Sequence, residues 1–83
     1  RAVVTADSPA IDRTPAELQL RERHNVTLLA ISRSDQRIVQ RLRSVRFHAG
    51  DVVVLQGRFE QLPDTLQALG ILPLAERELG LGS

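Results

Sequence analysis

The sequence predicts an α+β domain in which two helices lie on one face of a small mixed β-sheet. Short apolar runs bounded by turn residues indicate strands, and two segments carry helix-start and helix-stop signals. Their order is strand-helix-strand-strand-strand-helix-strand, which is typical of layered α+β folds. With 83 residues, 42% of them hydrophobic, the chain is long enough for one domain with a thin core.

A turn separates the first predicted strand from the first predicted helix. Residues 2–5 form an apolar run that ends at a turn signal in residues 7–9. Thr14 and Glu17 have the spacing of a capping box, in which each side chain accepts a hydrogen bond from the other residue's amide. Pro15 suits the first helical position, where its missing N–H costs no hydrogen bond. A helix is therefore predicted to begin at Pro15.

This first helix is expected to be short. Leu20 breaks the helical spacing of the apolar residues, so the continuation through His24 is expected to be irregular. Asn25 adopts the left-handed conformation more readily than most non-glycine residues, which suits a reversal into the next strand.

The second strand is predicted over residues 26–31, which are apolar on both alternating faces. Strands of this kind are usually covered on both sides. A chain of 83 residues provides little material for two covering layers. A partner is therefore expected to close one face, at a sheet face or edge near this strand.

Two more strands follow in sequence. Residues 32–36 are predicted as a polar hairpin tip and residues 37–39 as the returning strand. After a basic connection, residues 48–51 form a turn signal before the strongest predicted strand, residues 52–56, which Gly57 closes.

The second helix and the last strand complete the pattern. Leucines recur at steps of four and three over residues 60–69, Pro63 lies in the first turn, and Gly70 is a suitable terminating residue. Residues 71–74 are predicted as an edge strand, because Pro73 cannot donate a ladder hydrogen bond.

The charge total hides a local basic cluster. Eleven arginines oppose ten acids, for a net charge of +1. Arg37, Arg41, Arg43 and Arg46 follow one another with no acid between them, and Arg33 lies just before them. Such a cluster can bind an anion through bidentate hydrogen bonds. The alternative is a solvated basic hairpin.

The composition offers few residues suited to catalysis or metal binding. There is no cysteine, and His24 and His48 lie too far apart in sequence for the close spacing of metal ligands, so neither a metal nor a cofactor is expected. Phosphate-cradling loops and nucleophile elbows are also missing. We therefore expect no enzymatic activity. Nucleic-acid binding is disfavoured because aromatic residues are nearly absent.

Three segments in this order resemble one family. They are the capped helix start at residues 14–18, the strand at residues 26–33 that ends in A-I-S-R, and the segment at residues 49–57 that reads A-G-D-V-V-V-L-Q-G. Together they are similar to the TrkA C-terminal domain, also called the RCK C-terminal domain, from about residue 3 to residue 74.

The resemblance implies a regulatory domain of a bacterial ion transporter, at the cytoplasmic face of the inner membrane. Its host would be a sodium-coupled anion symporter or a potassium uptake system, and its partners a second copy and the host's transmembrane domain. A small anionic ligand such as a nucleotide is expected, because some relatives bind cyclic di-AMP. The alternative is a purely structural dimerisation module without a ligand.

The resemblance and the basic cluster together suggest four ligand-binding residues, Ile31, Arg33, Arg41 and Arg43. We expect residues 1–75 to form the regulatory domain and residues 76–83 to be a linker toward the rest of a longer host protein. The chain differs from many relatives at three places. Asp12 stands where glycine is common, the pair at residues 24–25 replaces an aromatic-glycine pair, and residues 40–44 replace a proline-bearing connection.

Overall fold

A computed structural model describes residues 1–74 of the chain. The predicted linker at residues 76–83 lies outside the described residues. The elements, in order, are β1 (Ala2–Val4), α1 (Pro15–Leu18), α2 (Leu20–His24), β2 (Thr27–Arg33), β3 (Gln36–Ile38), a 3₁₀ turn (Leu42–Ser44), β4 (Val52–Gln56), α3 (Leu62–Leu69) and β5 (Ile71–Pro73). The predicted α+β class and element order are confirmed.

The five strands form one sheet in the order β3-β2-β4-β1-β5. Neighbouring strands in this sheet pair antiparallel, and an isolated parallel bridge joins Ile11 to Phe47. Each helical connection skips one strand: α1 and α2 lead from β1 past β4 to β2, and α3 leads from β4 past β1 to β5. Strands joined through a helix are therefore parallel in direction without being hydrogen-bonded neighbours.

The core lies on one face of the sheet, under the helices. Residues directly opposite each other on antiparallel strands share a face, and one row, Ile38, Ile31, Val53, Ala2 and Pro73, crosses all five strands. The residues of this row in the three central strands are buried together with helix residues from both α2 and α3. Both helical segments therefore pack against the same face, as predicted.

The first helix is interrupted as expected. Thr14 and Glu17 form the predicted capping box, with hydrogen bonds of 3.1 Å from the Thr14 amide to the Glu17 carboxylate and 3.0 Å from the Glu17 amide to the Thr14 hydroxyl. Gln19, in the left-handed conformation, separates α1 from α2. Asn25 ends α2 at a φ of 56°, so it performs the predicted reversal.

A close approach between two loops explains the need for Gly70 at the end of α3. Its φ is +66°, and a Cβ atom there would lie 2.8 Å from the Cα of Ser8. The buried Ser8 hydroxyl donates to the carbonyl of Leu69 and accepts a hydrogen bond from the amide of Ala10. The loop after β1 is thereby fastened to the end of α3.

The boundaries differ slightly from the sequence prediction. The hairpin turn is confined to Ser34 and Asp35, both with positive φ, so β2 extends to Arg33 and β3 begins at Gln36. Tight two-residue hairpin turns favour positive φ at both positions. The register of β2 against β4 shifts between Leu28 and Ala30, which leaves Leu29 as the extra residue of a bulge.

Candidate ligand and assembly site

Arg33 and Asp51 form a bidentate ion pair at the edge of the core. Arg33 donates from Nε to one carboxylate oxygen of Asp51 at 2.9 Å and from Nη2 to the other at 2.8 Å. The Asp51 side chain is 1% exposed and that of Arg33 is 24% exposed. The arginine of the A-I-S-R segment and the aspartate of the G-D segment are therefore structural partners.

Further hydrogen bonds complete this ion pair. The amide of His48 donates to the Asp51 carboxylate at 2.8 Å, and Nη2 of Arg33 also donates to the carbonyl of Arg46 at 2.9 Å. Burial alone would raise the pKa of Asp51, but the hydrogen bonds from the Arg33 side chain and the His48 amide, together with the positive charge of Arg33, outweigh it, and the pKa lies below its ordinary value. The hydrogen bond to Asp51 raises the pKa of Arg33.

The fold divides the basic cluster into arginines with different roles. Arg46 donates to the carbonyl of Asp12 at 2.6 Å and to the Glu17 carboxylate at 3.3 Å. Arg43 reaches Glu22 only at 4.0 Å, with both side chains mostly exposed. Within the described residues, Arg37 and Arg41 have no ion pair. Arg37, Arg41 and Arg43 are thus the members of the cluster that remain open to an added anion.

The four predicted ligand residues do not form one surface. Ile31 is fully buried in the core of the single domain. Arg33 already holds Asp51. Arg41, at a φ of +55°, precedes the 3₁₀ turn that contains Arg43, and both are exposed. A ligand role for Ile31, Arg33, Arg41 and Arg43 stays a prediction.

A cleft lies between α2, the start of β2 and the 3₁₀ turn, with a volume of about 250 Å³. Its apolar wall includes the buried residues Leu20, Val26 and Leu28, and two arginines, Arg21 and Arg43, line it as well. Sequence reasoning identified Arg43 but missed Arg21, because α2 is too short and irregular for helical periodicity to assign its faces. Within the described residues, this cleft is where one arginine of the basic cluster, Arg43, lies beside an apolar cavity.

The sheet face opposite the helices is apolar across β4, β1 and β5 and lacks a covering layer among the described elements. One cross-strand row on this face consists of Arg37, Ser32, Val52, Val3 and Leu72, so the row is polar in β3 and β2 and apolar in β4, β1 and β5. Val3 and Val52 are half-buried, and Leu72 is 56% exposed. The prediction that one sheet face is left for a partner agrees with this arrangement. β3 pairs with β2 only at residues 31–33, so within the described residues positions 27–30 of β2 have no strand partner on the side away from β4.

Two kinds of feature are absent from the part of the chain that the structure describes. No group of three or more potential metal-binding side chains occurs within residues 1–74. In the same range, no helix has the length and apolar character needed to cross a membrane.

The described residues thus form a layered α+β fold with an open sheet face, a buried ion pair and an arginine-lined cleft. The chain belongs to the TrkA-C domain family, whose sequence model matches residues 1–70. Domains of this family are regulatory. The family prediction made from the three segments is therefore confirmed.

The chain is 35% identical over 77 residues to the uncharacterized transporter sll0640 of Synechocystis sp.. The match includes 93% of this chain but only 13% of that protein's length. The chain thus corresponds to a small part of a much larger named transporter.

Two solved structures share the fold. The RCK_C domain dimer of S. agalactiae BusR in complex with c-di-AMP superposes with a TM-score of 0.69 and 20% identity, covering 80% of this chain and 87% of that one. S. agalactiae BusR in complex with its busAB-promotor DNA also has a TM-score of 0.69 and 20% identity, covering 80% of this chain and 32% of that one. At this identity the likeness establishes the fold.

Proposed function

We propose that this chain is a regulatory domain of a bacterial ion transporter that forms a dimer and senses a small anionic ligand. The transporter would be a sodium-coupled anion symporter or a potassium uptake system, with this domain at the cytoplasmic face of the inner membrane. Family membership and the match to a named transporter support a transporter host. The observation that carries the proposal of self-association is the uncovered apolar face of the sheet.

The occupant proposed for this face is a second copy of the domain. Val3, Val52 and Leu72 lie side by side in one row, and the half-buried Val54 lies in the next row. Apolar side chains at such positions favour contact with another apolar surface, because burial removes them from water. The solved dimer of the related RCK_C domain supports a second copy as the partner.

Sedimentation equilibrium with matched variants tests this proposal. Leu72→Lys places a charge on the proposed interface, whereas Val39→Lys is the control, because Leu72 and Val39 are similarly exposed, at 56% and 52%, and Val39 lies outside the strands. We expect the wild-type chain and Val39→Lys to be dimers and Leu72→Lys to dimerise at least about tenfold more weakly. A monomeric wild-type chain, or equal dimerisation of all three proteins, would contradict the proposed interface.

The second part of the proposal is the anionic ligand. Arg41 and Arg43 are exposed and close in sequence, and their positive charges would attract such a ligand. At Arg43 the ligand would compete with the Glu22 carboxylate. A thermal-shift screen of nucleotides, cyclic dinucleotides and simple anions tests it, since a ligand that binds the folded state raises the melting temperature. Arg41→Gln/Arg43→Gln should abolish any shift, and Arg58→Gln, another exposed arginine, should retain it.

A purely structural dimerisation module is the competing function. It predicts the same dimer with no ligand that raises the melting temperature. Nucleic acid is not among the proposed partners, because binding of single strands depends on exposed aromatic side chains that stack on the bases. The chain has two aromatic residues, both phenylalanine, and of these only Phe59 is exposed. Affinity for nucleic acid that falls steeply with salt would contradict that exclusion.

A further inference from the structure

We infer that the cleft between α2, β2 and the 3₁₀ turn binds a small amphipathic carboxylate. The apolar part of the ligand would lie against Leu20, Val26 and Leu28, and its carboxylate would bind Arg21 and Arg43. This inference rests on the proposed ligand sensing and gives that ligand a position and a chemical class.

The wall of the cleft selects for an apolar ligand body. Leu20 is 3% exposed, Val26 1% and Leu28 8%, so these side chains are held in place by the core rather than free to collapse into the cavity. Leu42 on the 3₁₀ turn also lines the cleft. A preformed apolar cavity favours a ligand that buries hydrocarbon without having to reorganise the protein.

The arginines select for a negative charge on that ligand. Arg21 has no salt bridge within the described residues, and the contact of Arg43 with Glu22 is 4.0 Å long and mostly exposed. Guanidinium groups match the geometry of a carboxylate and bind it through paired hydrogen bonds. A ligand carboxylate would compete with the Glu22 carboxylate for Arg43, and the weak existing contact makes this exchange favourable.

The size of the cleft restricts the ligand further. Pockets for drug-sized molecules are roughly 300–1,000 Å³ in volume, and this one is about 250 Å³. A dinucleotide therefore does not fit within the cleft of a single domain. A neutral hydrocarbon of suitable size would fit, but it would remove water from the two arginine side chains without offering them an acceptor. A short carboxylate satisfies both parts of the site.

Octanoate and 1-octanol are a matched pair of probes, equal in chain length and different in charge. We expect octanoate, added to the isotopically labelled 83-residue chain, to shift the methyl resonances of Val26, Leu28 and Leu42. The methyl resonances of Leu72, on the open sheet face, should stay in place. Octanol should bind at least about tenfold more weakly, because its single neutral hydroxyl can neither form an ion pair with the arginines nor accept the paired hydrogen bonds that a carboxylate accepts.

Variants then test whether Arg21 and Arg43 bind the carboxylate of octanoate. Arg21→Gln/Arg43→Gln should weaken octanoate binding at least about tenfold, whereas Arg58→Gln should leave it unchanged. The methyl spectrum of each variant in the absence of ligand verifies that its fold is retained. The inference is overturned if octanoate moves no methyl of the cleft at about 10 mM, a concentration that reveals even millimolar affinities. It is also overturned if octanol binds as tightly, or if the double variant binds as the wild type does.

Sedimentation of the same samples separates this inference from the proposed function. A dimer that fails to bind octanoate overturns the carboxylate site and leaves self-association intact. A monomer that binds octanoate in the cleft overturns self-association and leaves the carboxylate site intact.

Discussion

Arg33 and Asp51, 18 positions apart in the sequence, meet in a two-point ion pair that joins the end of β2 to the turn before β4. The same carboxylate accepts a hydrogen bond from the amide of His48, so it also fixes the turn itself. Two of the three segments that suggested the family therefore contribute to the fold through one shared contact. Neither residue's role is visible when its segment is considered alone.

Removal of Arg33 should be costly because it leaves a buried carboxylate without its counter-ion. We expect Arg33→Gln to lower the free energy of unfolding by about 3 kcal/mol, measured by urea denaturation at pH 7. Arg46→Gln is the control. Its ion pair with Glu17 is exposed, at 56% and 44% of the side chains, so it should cost no more than about 1 kcal/mol. Equal effects of the two substitutions would contradict a structural role for the Arg33–Asp51 pair.

The stability of the domain should decrease in acid partly because of Asp51. The pKa of this carboxyl is lowered in the folded domain from an ordinary value of 3.8. The ionised group therefore stabilises the fold fully above the unfolded-state pKa, and this contribution is lost as the pH falls from about 5 through the lower native pKa. Asp51→Asn, although less stable at pH 7, should show a shallower decline between about pH 5 and pH 2. Parallel declines in a urea-denaturation series would refute the assignment.

Two glycines with positive φ should respond differently to alanine. Gly50→Ala should cost about 1 kcal/mol, because φ is +86° but nothing lies within 4 Å of the added Cβ. Gly70→Ala carries a similar backbone cost and also drives the Cβ to 2.8 Å from the Cα of Ser8, so we expect a loss at least about 1 kcal/mol larger. Denaturation midpoints of the two variants measure the difference. Equal losses would mean that the loop after β1 moves away without cost.

The proposed dimer makes thermal stability depend on protein concentration. Association of folded chains raises the melting temperature as concentration rises, by mass action. We expect this dependence in the wild-type chain and its reduction in Leu72→Lys, which calorimetry over a hundredfold concentration range, about 5 to 500 μM, would measure. A melting temperature independent of concentration in the wild-type chain would argue against self-association.

Local signals predicted most of the fold. The capping box at Thr14, the left-handed turn at Asn25 and the termination at Gly70 each depend on residues close in sequence, and each lies where it was expected. The site was harder to predict. Arg33 and Arg43 lie in the same basic part of the sequence. Arg33 forms an ion pair with the buried Asp51, however, whereas Arg43 lines a cleft.

The sequence by itself determined the elements, their order, the family and the presence of apolar residues in excess of what one helical layer can cover. These properties follow from backbone preferences and from hydrophobic patterns that act over a few residues. Only the tertiary structure decided which arginines remain open to a ligand, that Ile31 lies inside the core, and that Arg21 faces the same cleft as Arg43. The reason is physical: ion pairs and cavities depend on which distant segments the sheet brings together, and strand order is set by packing of the whole chain.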